Sequence, residues 1–195
     1  MQQASQEQIS LPEHLESYLG TIHRGWQDTA TDSGIQVVSF ANQPEEGVTT
    51  FVTLGLSRSI LNLGDIYTIR EELITSASNA LSPDSVAGFL LSVAEDLQRS
   101  KRALLRGEVL GPGQPVTSEA TLTAVYVANP SPFHPALTDF RSEPPAIIFA
   151  YLIPISGQEA SLIQSHGWRW FEAELENQNP DVWDWARTTD VVCGH

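Results

Sequence analysis

Gly34-Ile-Gln-Val-Val-Ser-Phe-Ala-Asn-Gln-Pro-Glu-Glu-Gly-Val-Thr-Thr-Phe-Val-Thr-Leu-Gly-Leu56 reads as two β-strands and the short loop that joins them. Successive side chains of a strand point to opposite faces. In the second strand Val48, Val52, Leu54 and Leu56 share one face, and Thr49, Phe51 and Thr53 share the other. The first strand carries Ile35, Val37, Val38 and Phe40. Gln43-Pro-Glu-Glu-Gly47 is a run of turn formers, so the pair reads as an antiparallel hairpin.

Upstream, Ser10-Leu-Pro-Glu13 has the pattern of a capping box with proline in the first turn. Leu15, Leu19, Ile22 and Trp26 follow at helical spacing, which predicts a helix through Trp26. Downstream, Asn62 to Asp65 reads as a turn and Tyr67 to Ser76 as a third strand, half-exposed because of its charges. Ser82-Pro-Asp84 opens the longest helix, with Val86, Leu90, Val93, Leu97 and Leu104 as its apolar stripe. Glu95 and Arg99 suit an i,i+4 pair, and Gly107 is the expected stop. Thr121 to Val127 is a strand, and Asn129 to Pro135 is a proline-rich loop. The continuous apolar run Ala146 to Ile153 predicts the most buried strand. Ser156-Gly-Gln-Glu159 is a second capping box, opening a helix that stops at Gly167. A last helical stretch runs from Trp168 to Glu176. Consecutive strands with short loops predict an α+β fold, a mostly antiparallel or mixed β-sheet flanked by helices. Residues 1–9 are expected to be a disordered N-terminus, 10–190 one domain, and 191–195 a tail.

Composition narrows the function. Twenty-four acidic residues face ten Lys plus Arg, a formal net charge of −14. Nucleic-acid binding draws on Lys and Arg neutralising phosphates, so this chain is expected to bind neither nucleic acid nor an anionic membrane. It would attract a basic protein partner; the plainer reading is that acidity maintains solubility. The single cysteine, Cys193, can form neither an internal disulfide nor a zinc site, and is read as an inert tail residue. With no signal-peptide pattern and no apolar run near the roughly 20 residues of a membrane span, a cytoplasmic location is expected.

Chemistry is sparse. Gly55-Leu-Ser57 begins like a nucleophile elbow but lacks the second glycine, so Ser57 reads as a strand end. His14, His23, His134, His166 and His195 stand in no metal-binding spacing, and no metal or cofactor is expected. Glu71 and Glu72 would point to opposite faces of a strand. The distinctive feature is aromatic: Trp168, Trp170, Trp183 and Trp185, with Asp181 and Asp184 beside the last two. Residues two apart do not share a helix face, so each pair is expected to split into one inward and one exposed ring. Tryptophan is enriched at interface hot spots. These six residues are therefore the candidate partner-binding surface; four core tryptophans are the plainer alternative.

Several segments together resemble the suppressor of fused domain family. They are Thr50-Phe-Val-Thr-Leu-Gly-Leu-Ser57, Arg70-Glu-Glu-Leu-Ile-Thr-Ser76, Leu105-Arg-Gly-Glu-Val-Leu-Gly-Pro-Gly-Gln-Pro115, and Leu152-Ile-Pro-Ile-Ser-Gly-Gln-Glu159 followed by His166-Gly167. Asp184-x-x-Arg187 is similar to the family's closing element. Glu71 stands where the family pattern has an aromatic residue, and Trp183-Asp-Trp185 is richer in tryptophan. The resemblance implies a non-catalytic protein-interaction domain. The animal member sequesters a transcription factor, and small bacterial relatives resemble immunity proteins that neutralise a toxin. An enzyme, hydrolase-like, with a site assembled from distant residues is the alternative, and a self-associating subunit is a third reading.

Overall fold

The computed structural model describes residues 9–64 and 66–192. The expectations for residues 1–8, Asp65, Cys193 and His195 lie outside the described residues. The chain begins with α1 (Leu11–Leu19). Five strands follow: β1 (Arg24–Gln27), β2 (Gln36–Ala41), β3 (Val48–Leu54), β4 (Leu61–Leu63) and β5 (Tyr67–Ser78). Next come α2 (Pro83–Ser100), β6 (Val109–Leu110), β7 (Ala124–Ala128), β8 (Asp139–Phe140) and β9 (Ile147–Ile155). Helices α3 (Gly157–His166) and α4 (Trp168–Gln178) complete the elements.

The strands form one sheet in the order β1-β2-β3-β5-β9-β7-β6, with β4 on β5 and β8 on β9. The hairpin that anchors the sequence reading is β2 against β3, with Val38 opposite Val52. β5 pairs antiparallel with β3 but parallel with β9, Glu72 opposite Phe149. The sheet is therefore mixed, and α2 lies in the crossover that a parallel pair requires.

Both faces of the sheet are covered. On one, Val86, Leu90, Ala94 and Leu97 of α2 belong to the same core as Phe51, Leu73 and Leu152. On the other, Leu15 and Leu19 of α1, Ile163 of α3 and Phe171 of α4 join Val52, Ile74 and Tyr126. The alternation in β3 thus separates two cores rather than a core from solvent. Each fully buried Leu, Ile or Phe contributes about 1.5–3 kcal/mol.

That two-sided cover corrects the reading of the third strand. Residues 71–77 are all buried, Glu71 and Glu72 included. Their charge suggested a half-exposed strand, but β5 lies between β3 and β9 with helices on both sides.

Two helix boundaries also differ from expectation. α1 stops at Leu19 because Gly20 turns to φ +83°. Trp26 sits instead in β1, its ring tilted against Phe51 and its indole N–H donating to Asp84 at 2.6 Å. α2 ends at Ser100 with Lys101 in the left-handed region, short of Gly107. Arg99 pairs with Asp96 rather than Glu95, because Glu95 accepts the hydroxyls of Thr31 and Ser33. Both capping boxes form as expected, at Ser10/Glu13 and Ser156/Glu159. Among the described residues, no helix is long and apolar enough to cross a membrane.

Candidate functional site

The segment after α4 crosses the end of the sheet as a strap, held at three points. The Ser78 N–H donates to the Trp183 carbonyl at 2.9 Å, and the Thr121 N–H donates to the Trp185 carbonyl at 3.0 Å. The third hold is a buried ion pair: the Arg187 guanidinium donates to both Glu159 oxygens, at 2.8 and 3.1 Å, and to the Pro154 carbonyl at 3.1 Å. Glu159 also receives the backbone N–H of Ser156 and Val191. One carboxylate thus caps α3 and holds both ends of the strap's last turn. These hydrogen bonds offset much of the lost hydration of the buried pair, although the Arg187 Nε–H is buried with no partner among the described residues.

The strap decides the fate of its two tryptophans, which part to opposite faces although residues 181–187 form no helix. Trp168 and Trp170, which do stand on a helix, do not split as expected and are both partly buried against one core. Trp185 points into the α2-side core, fully buried. Its indole N–H donates to the Ser76 carbonyl at 3.1 Å, and Phe89 meets its ring edge-on. The expectation that Trp185 belongs to a partner surface is therefore corrected: an indole with no exposed area and a satisfied N–H has nothing to offer a partner. Trp183 points to the other face and stays partly exposed, its N–H donating to the Tyr151 hydroxyl at 3.1 Å. Burial pushes the Tyr151 phenol above its ordinary range, while hydrogen bonds from Ser76 and Trp183 oppose that.

Trp183 forms part of an open groove of about 550 Å³. Its apolar surface comes from Pro132, Tyr151, Ile153, Leu175, Val182 and Trp183. The carboxylates that line it are Glu45, Glu176 and Asp181, all exposed, and among the described residues no lysine or arginine lines it. Among the described residues none of the three carboxylates joins an ion pair, while seven of the ten Lys and Arg are committed elsewhere. Asp181 also shapes the wall, since one of its oxygens accepts the N–H groups of Trp183 and Asp184.

The remaining candidates lie elsewhere. Asp184 is partly buried and caps the Ala186 N–H. Trp168 stacks beneath the guanidinium of Arg106 and against that of Arg169. It also rests on Gly107, where an added Cβ would come within 2.6 Å of the ring. Trp170 packs against His166. Neither lines the groove. The structure therefore brings together Asp181 and Trp183 and separates the other four. Tyr151, Leu175, Glu45 and Glu176 went unnamed because three separate elements, β9, α4 and the β2–β3 loop, deliver them to one place.

Ser57 is only 4% exposed and donates to Glu72 at 2.6 Å. The same Glu72 oxygen accepts the N–H groups of Gly55 and Ser57, and the other accepts the Thr53 hydroxyl. Burial raises the Glu72 pKa against these four donors. Gly55 takes φ +116° under the Gly34 carbonyl, 2.7 Å from where a Cβ would sit. This geometry ties a tight turn to β5, and Ser57 lies in the short 3-10 turn Leu56–Arg58 just past β3 rather than at the strand's end. Among the described residues, no group of three or more His, Cys, Asp or Glu could hold a metal ion.

A mixed nine-stranded sheet, one long helix on one face, three shorter helices on the other and a pinned C-terminal strap define a single α+β domain. The chain belongs to the suppressor of fused protein (SUFU) family, whose model matches residues 31–188. It is 24% identical over 168 residues to the immunity protein YqcF of Bacillus subtilis (strain 168), covering 85% of this chain and 86% of that protein. A SUFU homolog from Neisseria gonorrhoeae shares the fold with a TM-score of 0.73 at 16% identity, covering 93% of this chain and 94% of that one. The chain matched in the Sufu-Fu complex gives 0.69 at 13% identity, covering 93% and 90%. Drosophila Suppressor of Fused gives 0.61 at 14% identity, covering 80% of this chain and 42% of its own.

Proposed function

We propose that this chain is a non-catalytic protein-binding domain that acts as an immunity protein, neutralising a basic toxin by occupying part of its surface. The observation that carries this reading is the likeness to an immunity protein along 85% of the chain. Family membership adds support, since a SUFU chain of the same fold is found in a complex. The net charge of −14 supports a basic partner, because opposite charge speeds encounter and rejects acidic competitors. The groove supports an interface role, with Trp183 in its lining beside three carboxylates that join no ion pair among the described residues.

Neutralisation by binding needs no reacting groups, only a rigid surface presented at high complementarity. The strap provides that rigidity by pinning Trp183 at Ser78 on one side and Arg187 on the other. The test is a growth assay. The product of the neighbouring gene is expressed alone and together with this chain. Toxicity alone and growth together is the expected result. A harmless neighbour, or a toxic one that this chain fails to counter or co-purify with, removes the immunity reading.

A further inference from the structure

We propose that the strap-side groove is a receptor for one cationic side chain of the partner, an arginine ahead of a lysine, flanked by apolar residues. This rests on the protein-binding reading and gives it a chemical address.

Three features of the groove specify such an occupant. The first is the Trp183 ring, held in place by its hydrogen bond to Tyr151 and partly open to solvent. An indole face attracts a guanidinium, and the aliphatic stem of arginine covers apolar surface while its head stays polar. The chain already uses this contact elsewhere, with Arg106 and Arg169 over Trp168 at 4.7 and 5.3 Å and Arg24 over Trp26 at 4.6 Å. At Trp183 no cation of the chain's own fills that role among the described residues.

The second feature is the carboxylate rim. Glu45 comes from the β2–β3 loop, Glu176 from α4 and Asp181 from the strap, so three independent elements bring negative charge to one opening. Their summed negative charge attracts a partner's cation as it approaches. A planar guanidinium can engage two carboxylates at once, whereas an ammonium is a point charge. The third feature is the apolar wall of Pro132, Leu175 and Val182, which suits apolar neighbours of the arginine and would reject a wholly hydrophilic basic segment.

The probe is the pentapeptide acetyl-Gly-Leu-Arg-Leu-Gly-amide, followed by the chemical shift of the Trp183 indole N–H in the ¹⁵N-labelled full chain. Two companions replace the arginine by lysine or by citrulline, which keeps the shape and loses the charge. The arginine peptide should shift the Trp183 signal saturably. The lysine peptide should bind more weakly, and the citrulline peptide at least tenfold more weakly. In the double variant Glu176→Gln/Asp181→Asn the shift should vanish; asparagine keeps the side-chain oxygen that accepts from Trp183 and Asp184. The proposal is overturned by no saturable shift, by an equal response to citrulline, or by full binding to the double variant. The parent reading fails separately. If the double variant protects cells from the toxin as well as the parent chain, the groove is wrong and the immunity reading stands. If neither protects, that reading falls whatever the peptide does.

Discussion

The two faces of the sheet are closed differently. On one, a single 18-residue helix, α2, lies over the strands, and Trp185 completes a core with its indole N–H satisfied. On the other, three shorter helices share the cover, and the strap bridges what they leave. The face under one continuous helix keeps a smaller pocket, about 280 Å³, where Trp26 and Phe51 meet Pro83 and Val86 at the start of α2. A face sealed by several pieces keeps a seam, and the groove is that seam. Trp183 and Trp185 stand two residues apart and fall on either side of this division, so they compare the two faces within one turn of chain.

The largest effect should come from breaking the pin that holds the strap across both. Arg187→Met leaves Glu159 buried with its charge unmatched and should destabilise the fold by about 3–5 kcal/mol in urea unfolding. Trp185→Ala empties a fully buried site and should cost about 3–5 kcal/mol, whereas Trp183→Ala, at the open seam, should cost about 1 kcal/mol. Equal losses at the two positions would erase the distinction between the faces.

Titration should sharpen the comparison at two groups, Glu71 and His14, whose pKa values are shifted in opposite directions. Glu71, on the α2 side, accepts the Leu104 N–H, and burial pushes its pKa up to about 8. The folded state holds a proton there that the unfolded chain gives up near 4.5. Its stabilisation is therefore whole below about pH 4.5 and is lost as pH rises through about 8. The loss is on the order of a few kcal/mol, and Glu71→Gln should reduce that slope and leave the part that buried Glu72 contributes. On the opposite face His14 lies against Phe140, with Nε2 buried and unpartnered, and burial lowers its pKa below 6.5. The unfolded chain takes up that proton first, so the His14 contribution is whole above about pH 6.5 and fades as pH falls below it. His14→Gln should remove only the acid-side slope.

The smallest effect belongs to the groove itself. Glu176→Gln/Asp181→Asn touches exposed side chains and should change stability by no more than about 0.5 kcal/mol, so any loss of partner binding in that variant reports on the surface rather than the fold.

What the sequence revealed was local. The β2–β3 hairpin, β9 and both capping boxes depend on residues within one element or its turn, and periodicity found them. β1, β6 and β8 are four, two and two residues long, too short for a period to register, and they exist because a neighbouring strand pairs with them. Glu71 and Glu72 misled for the same reason, since only the strands and helices around β5 make a charged stretch central. At the candidate site, residue type alone picked out Asp181 and Trp183. It equally picked out Trp185, because spacing predicts that two rings diverge without saying which turns inward. Tyr151, Leu175, Glu45 and Glu176 reach the groove from β9, α4 and a loop, and no sequence window contains that meeting.

Under the proposed function, this chain binds a protein through the seam of its divided face. Calorimetric titration of the purified neighbouring gene product into this chain, its double variant and Trp183→Ala tests it most directly. The expected result is 1:1 binding that weakens with added salt and weakens at least tenfold in either variant. No heat of binding to the parent chain, with both proteins folded, would contradict it.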